Sequence, residues 1–152
     1  MRERAQHRCH HGTDTWRNLN LVDTNILLDV VTDDPAWADW SIAQLETASL
    51  DGPLLINDTV YAELAVRYDH IEELEAFLDE AGLEMTAMPR AALFLAGKIL
   101  TQYRRAGGSK NGVLPDIFIG AHAAVRQLPL LTRDLGRYRT YFPSVTLITP
   151  HV

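Results

Sequence analysis

Four acidic residues far apart along the chain, Asp23, Glu63, Asp116 and Asp134, each stand among apolar neighbours: Val22, Ala62 and Leu64, Leu114 and Ile117, Leu131 and Leu135. A charge in such surroundings needs a partner. Taken singly, each acid has an ordinary explanation. Asp23 could start a turn or cap a helix, Asp134 could be a turn residue, and Glu63 and Asp116 could complement helix dipoles. Taken together they read differently. Two carboxylates ~4 Å apart repel by about 4 kcal/mol at an effective dielectric of about 20. Four in one crevice therefore raise one another's pKa unless a cation is present. Oxygen ligands without His or Cys select a hard ion, Mg²⁺ or Mn²⁺. One or two such ions suit phosphodiester hydrolysis. A metal-dependent nuclease is the natural reading of these residue types.

The elements that must position the acids follow from apolar patterning. In LNLVDTNILLDVV, residues 19–31, a short apolar run stops at Asp23, as a buried strand would on reaching the edge of a sheet. Further strands are expected at 54–56, 83–88, 128–132 and 145–149. Helices are expected at 33–50, 58–68, 71–81, 89–105 and 115–126, the last opened by Pro115, and residues 107–112 form a glycine-rich loop. Ile71, Leu74, Phe77 and Leu78 should form one apolar face, and Ala92, Leu93, Leu95, Ala96, Ile99, Leu100 and Tyr103 another. Strands alternating with helices give an α/β fold, a parallel sheet of four to five strands covered on both faces. Crossover helices run antiparallel to the strands, so their N-termini share the sheet's carboxyl edge. All four acids converge there.

The bulk numbers bound the answer. With 152 residues, 47% hydrophobic, the chain suits one domain with one sizeable core. It has no run long enough to span a bilayer, and its single cysteine, Cys9, rules out an intramolecular disulfide framework. A cytoplasmic protein without a membrane segment is expected. The net charge of -6 is uneven: sixteen Asp and Glu face two Arg in residues 21–97, whereas eight Lys and Arg face two Asp in 98–139. Arg104, Arg105, Lys110, Arg133, Arg137 and Arg139 in the basic stretch are candidate phosphate contacts. Tyr138 and Tyr141 could stack on bases or pack into the core. Residues 1–18 are polar and aperiodic and are expected to be a disordered leader; Cys9-His10-His11 lacks the spacing of a metal site.

The stretches LVDTNILLDVV, INDTVYAEL, LPDIFIGAHA and LLTRDLGRYRTYFPSVTLI resemble, in order, the motifs of the PIN-domain ribonucleases, and most of all the VapC-like toxins of type II toxin–antitoxin modules. The resemblance covers residues 19–150 and implies a single three-layer PIN-like domain. It implies that Asp23, Glu63, Asp116 and Asp134 ligate Mg²⁺ or Mn²⁺, and that Thr24, Asn25 and Thr132 orient ligands or water. It further implies an RNA substrate, a cognate antitoxin and a homodimer. Trp37 and Trp40, three apart on one helix, become candidates for the antitoxin groove, with core packing as the alternative. Two other functions remain to be distinguished. One is a non-catalytic PIN-fold RNA-binding or regulatory protein. The other is a phosphotransfer domain, which would want a second acid two residues after Asp23, where Asn25 stands.

Overall fold

The computed structural model describes residues 19–150, so the expected leader lies outside the described residues. Five parallel strands form one sheet in the order β3-β2-β1-β4-β5. They are β1 (Asn20–Val22), β2 (Leu54–Ile56), β3 (Leu83–Met85), β4 (Leu130–Leu131) and β5 (Leu147–Ile148). The helices among the described residues are α1 (Thr24–Val31), α2 (Ala38–Asp51), α3 (Asp58–Ala65), α4 (Ile71–Glu80), α5 (Arg90–Arg105), α6 (Leu114–Arg126) and α7 (Leu135–Tyr141). Leu21 pairs with Leu55 on one side and Leu130 on the other, which puts β1 at the centre. The chain winds outward from β1 through β2 to β3 and then returns to place β4 on β1's other side. The strand order therefore reverses between β1 and β4, the place where open α/β sheets gather ligands.

The core explains why these segments take these forms. Leu21, Val22, Ile56, Leu130 and Leu131 from the strands pack with Ile26, Leu27, Leu64, Leu74, Ile117 and Ile119 from the helices, all essentially inaccessible to solvent. Strands buried on both faces read as continuous apolar runs. At Gly120 the ring of Phe142 lies so close to α6 that a Cβ would fall 2.3 Å from it, so only glycine fits.

Several expectations need correction. Residues 24–31 form a helix, α1, where the sequence was expected only to resume its apolar run after Asp23; α1 is buried along much of its length, so Ile26, Leu27 and their neighbours show no polar stripe. Residues 135–141 form a further helix, α7, where only a turn was expected. Helix α2 starts later than residue 33, because Asp34 accepts hydrogen bonds from the amides of Ala36 and Trp37 and holds a turn ahead of it. Ile71 and Leu93, expected in the core, are 63% and 45% exposed; Leu74, Leu78, Ala92 and Ala96 carry their helices' buried faces. The last two strands are shorter than expected, at two residues each. No helix among the described residues is long and apolar enough to cross a membrane.

Candidate active site

At the carboxyl end of β1, Asp23 ends the strand and caps α1 at once. Its Oδ1 accepts the Thr24 amide at 2.7 Å. Its Oδ2 accepts the hydroxyls of Thr132 at 2.7 Å and Tyr138 at 2.9 Å. The capping role that the sequence allowed for Asp23 is thus realised. Asp23 is only 2% exposed, and its three donors are all neutral. Burial, reinforced by the charge of Asp116 and opposed by the Thr132 and Tyr138 hydroxyls, pushes its carboxyl from the ordinary 3.8 up to about 7. Tyr138 is itself buried beside Asp23 and Asp116, which drives its phenol well above the usual 10 and keeps it a donor.

The other acids are linked to this position through Asp116. Glu63, one turn and a half into α3, receives the Thr24 hydroxyl at 2.6 Å. Burial raises its pKa, the Thr24 bond lowers it and Asp116 raises it again. Asp116, in the first turn of α6, is also raised by burial, and Arg137 works against that shift. Asp134 caps α7 by accepting the Arg137 amide at 3.2 Å, and its charge adds to the upward pressure on Asp116. Asp116 is therefore the electrostatic hub, coupled to Asp23, Glu63 and Asp134 in turn.

Thr132 and Asn25 form the scaffold beneath. The Thr132 hydroxyl donates to Asp23 and accepts from the Asp134 amide at 3.0 Å and from Asn25 Nδ2 at 3.4 Å. Asn25 Oδ1 accepts the Arg133 amide at 3.3 Å. These bonds tie the end of β4 to the start of α1 and fix Asp23 relative to Asp134. Thr24 is thus bonded to Glu63, Asn25 to Thr132 and the Arg133 amide, and Thr132 to Asp23.

The basic candidates divide. Arg137 pairs with Asp116 inside the crevice. Arg133 forks onto Asp29 with bonds of 2.7 and 2.8 Å and lies 4.9 Å over the Trp37 ring. Arg104, Arg105, Lys110 and Arg139 are exposed, with no contact to the acids. Tyr138 is part of the site through Asp23 and not a surface stacking platform, while Tyr141 packs edge-on against Tyr103. Trp37 and Trp40 are half-buried and meet edge to face at 6.0 Å, with Trp40 packed on the core.

Sequence reasoning missed the roles of Tyr138, Asp29 and His122. Tyr138 was seen without its role. Asp29 is buried and satisfied by Arg133 and the Ser41 hydroxyl. Asn57 caps α3, the helix of Glu63, and donates to Nδ1 of buried His122 on α6, the helix of Asp116. Burial holds His122 below its usual pKa, so the neutral ring carries its proton on Nε2, which has no partner among the described residues.

The donor chemistry of the crevice, carboxylates alone, fits a hard cation; three of the four acids are held in reluctantly ionised form by burial, and a divalent ion would relieve that. The arrangement is open rather than a closed cage. Among the described residues no three acidic, His or Cys side chains stand as a ready-made metal cluster, and Arg137 supplies the positive charge at Asp116. Mg²⁺ suits such a site, because it keeps several of its waters and needs only one or two carboxylates.

Comparison with known families and structures agrees with this geometry. The family model described as the PIN domain matches residues 21–143. Comparison with curated protein sequences gives no match. Among solved structures, VapBC2 from Rickettsia felis, bound to a promoter DNA fragment, aligns with a TM-score of 0.65 and 22% identity, covering 86% of this chain and 98% of that one. A toxin–antitoxin complex from Klebsiella pneumoniae aligns at 0.61 and 21%, covering 87% and 98%. DNA-bound VapBC from Salmonella typhimurium aligns at 0.64 and 20%, covering 86% and 98%. At these identities the likeness concerns the fold.

Proposed function

This chain belongs to the PIN-domain family, and from that premise we propose that it is a Mg²⁺- or Mn²⁺-dependent endoribonuclease, the toxin of a toxin–antitoxin pair. The observation that carries the reading is Asp23: a buried carboxylate without a cationic partner, pushed up to about 7 by burial and by Asp116, at the point where the strand order reverses. Asp23, Glu63, Asp116 and Asp134 would hold one or two ions. When bound, the ion supplies Lewis acidity at the scissile phosphate and a counter-charge for the leaving oxygen.

The chain's own residues supply the rest. Thr132 and Tyr138 hold Oδ2 of Asp23 in one orientation, and the Thr24 amide holds Oδ1. The Thr24 hydroxyl aims Glu63 toward the same space. A carboxylate with a raised pKa is suited to take a proton from an attacking water near neutral pH. Arg137, already in the crevice, can exchange Asp116 for a substrate phosphate as charge accumulates there. Exposed Arg104, Arg105, Lys110 and Arg139 would contact the backbone outside the crevice.

The structural neighbours described as toxin–antitoxin complexes support a cognate antitoxin as partner; a homodimer in the cytoplasm completes this reading. In this reading the exposed edge of the half-buried Trp37–Trp40 pair contributes to the antitoxin groove. The test is to incubate purified protein with single-stranded RNA in Mn²⁺ and sequence the new ends. Discrete cuts that disappear with a chelator and on adding the antitoxin encoded beside it support the reading. Intact RNA with the antitoxin-free protein points instead to a non-catalytic RNA-binding scaffold.

A further inference from the structure

Beside Glu63 the surface opens into a groove of about 440 Å³ that runs along α3 to its C-cap, Val66, and faces the start of α6. Val66, Leu114, Pro115 and Phe118 give it apolar walls, while Asp58 and Glu63 give it an acidic edge. Leu114 is shared with a narrower cleft of about 160 Å³ that is lined by Arg104, Ser109 and Lys110. The Tyr103 hydroxyl accepts the Lys110 amide at 3.0 Å and holds that loop in place. An apolar slot thus lies between a carboxylate of the crevice and a cationic cleft.

This order of chemistries matches one nucleotide of an unpaired strand. The slot itself disfavours a phosphate, whose oxygens would face Asp58 and Glu63. A base has an apolar face for Phe118 and Pro115 and edge N–H groups for the carboxylates, whereas its phosphate suits Arg104 and Lys110. We propose that this groove is a nucleobase subsite, seating the base beside the scissile phosphate, with the following phosphate held across Leu114 by Arg104 and Lys110. The proposal rests on the ribonuclease reading for the position of the scissile phosphate. It identifies the substrate at that position as unpaired RNA, since only an unstacked base can enter a slot.

The test needs no hydrolysis. The full chain, carrying ¹³C-labelled Phe, Leu and Val, is titrated without divalent ions with the dinucleoside phosphates ApA and UpU, and with ribose 5-phosphate as a base-free control. Saturable shifts of Phe118 and Leu114 with at least one dinucleotide and not with ribose 5-phosphate are expected. Val66→Asp, at a position 87% exposed and so outside the core, should weaken that binding several-fold, by removing an apolar wall and setting a third carboxylate in the groove. Equal shifts with ribose 5-phosphate, no shift at all, or shifts only on adding the antitoxin encoded beside it would overturn the subsite. Cleavage in Mn²⁺ is scored on the same preparation. Cleavage without groove shifts removes the subsite and keeps the nuclease, and shifts without cleavage do the reverse.

Discussion

Two buried aspartates lie six residues apart at the same helix, and they have opposite surroundings. Asp29 is 2% exposed and fully compensated: a forked Arg133 and the Ser41 hydroxyl occupy its oxygens, with Trp37 covering the guanidinium. Asp23 is equally buried, yet its donors are neutral and its nearest charged influence is another acid. A buried charge with its own counter-ion is architecture. One left without a counter-ion, at the reversal of strand order and under the charge of Asp116, is where we propose that a cation binds.

The sharpest way to break this comparison is to neutralise each member. Asp23→Asn should lower RNA cleavage by at least about 10²-fold, the lower bound for losing a positioned acid–base group. It should leave the metal-free fold no less stable at pH 8, because a buried charge disappears. A large drop in its thermal midpoint would make Asp23 a cap and nothing more. Asp29→Ala should do the converse, costing about 2–3 kcal/mol in denaturant unfolding by stranding Arg133, at the lower end for breaking a buried pair because that arginine is 27% exposed. Its folded fraction should still cut RNA.

Acid–base behaviour supplies a smaller test. The folded state raises the Asp23 pKa from 3.8 to about 7, and those of Glu63 and Asp116 in the same direction, so folding is favoured while these groups keep their protons. The contribution of these three acids to metal-free stability should therefore be fully present below about pH 4 and be lost as pH rises through about 7. His122, held below its usual pKa, works the other way on the acid side. Mn²⁺ at 100 times its dissociation constant should restore about 2.7 kcal/mol at pH 8, measured as a rise in thermal midpoint. The smallest effect belongs to the exposed cations: Arg104→Ala or Lys110→Ala should weaken RNA binding a few-fold and reduce its salt slope by about 1.

The position of the acids could be read from the chain because strand–helix alternation alone puts crossover N-termini on one edge of a parallel sheet. The segments around them were less legible. Helix α1 is apolar on its half-buried side too, where Leu28, Val30 and Val31 follow the buried Ile26 and Leu27, and an apolar run of that length looks like strand or helix alike. Helix α7, seven residues long, is placed by the Asp134 cap more than by any periodicity. The contrast between Asp23 and Asp29 was invisible for a different reason. Both sit among apolar residues, and what separates them comes from far away: Arg133 reaches Asp29 across 104 positions, and Tyr138 reaches Asp23 across 115. Arginines assigned to phosphate by composition turned out, at 133 and 137, to be paired with acids of the fold.

The central proposal is that the crevice around Asp23 binds a divalent cation, and Mn²⁺ calorimetry at pH 7 in buffers of different ionisation enthalpy measures it directly. The account predicts binding that releases protons from the crevice, release that fades by pH 9, and loss of that binding in Asp23→Asn while Asp29→Ala retains it. Proton-silent Mn²⁺ binding that survives Asp23→Asn would contradict it.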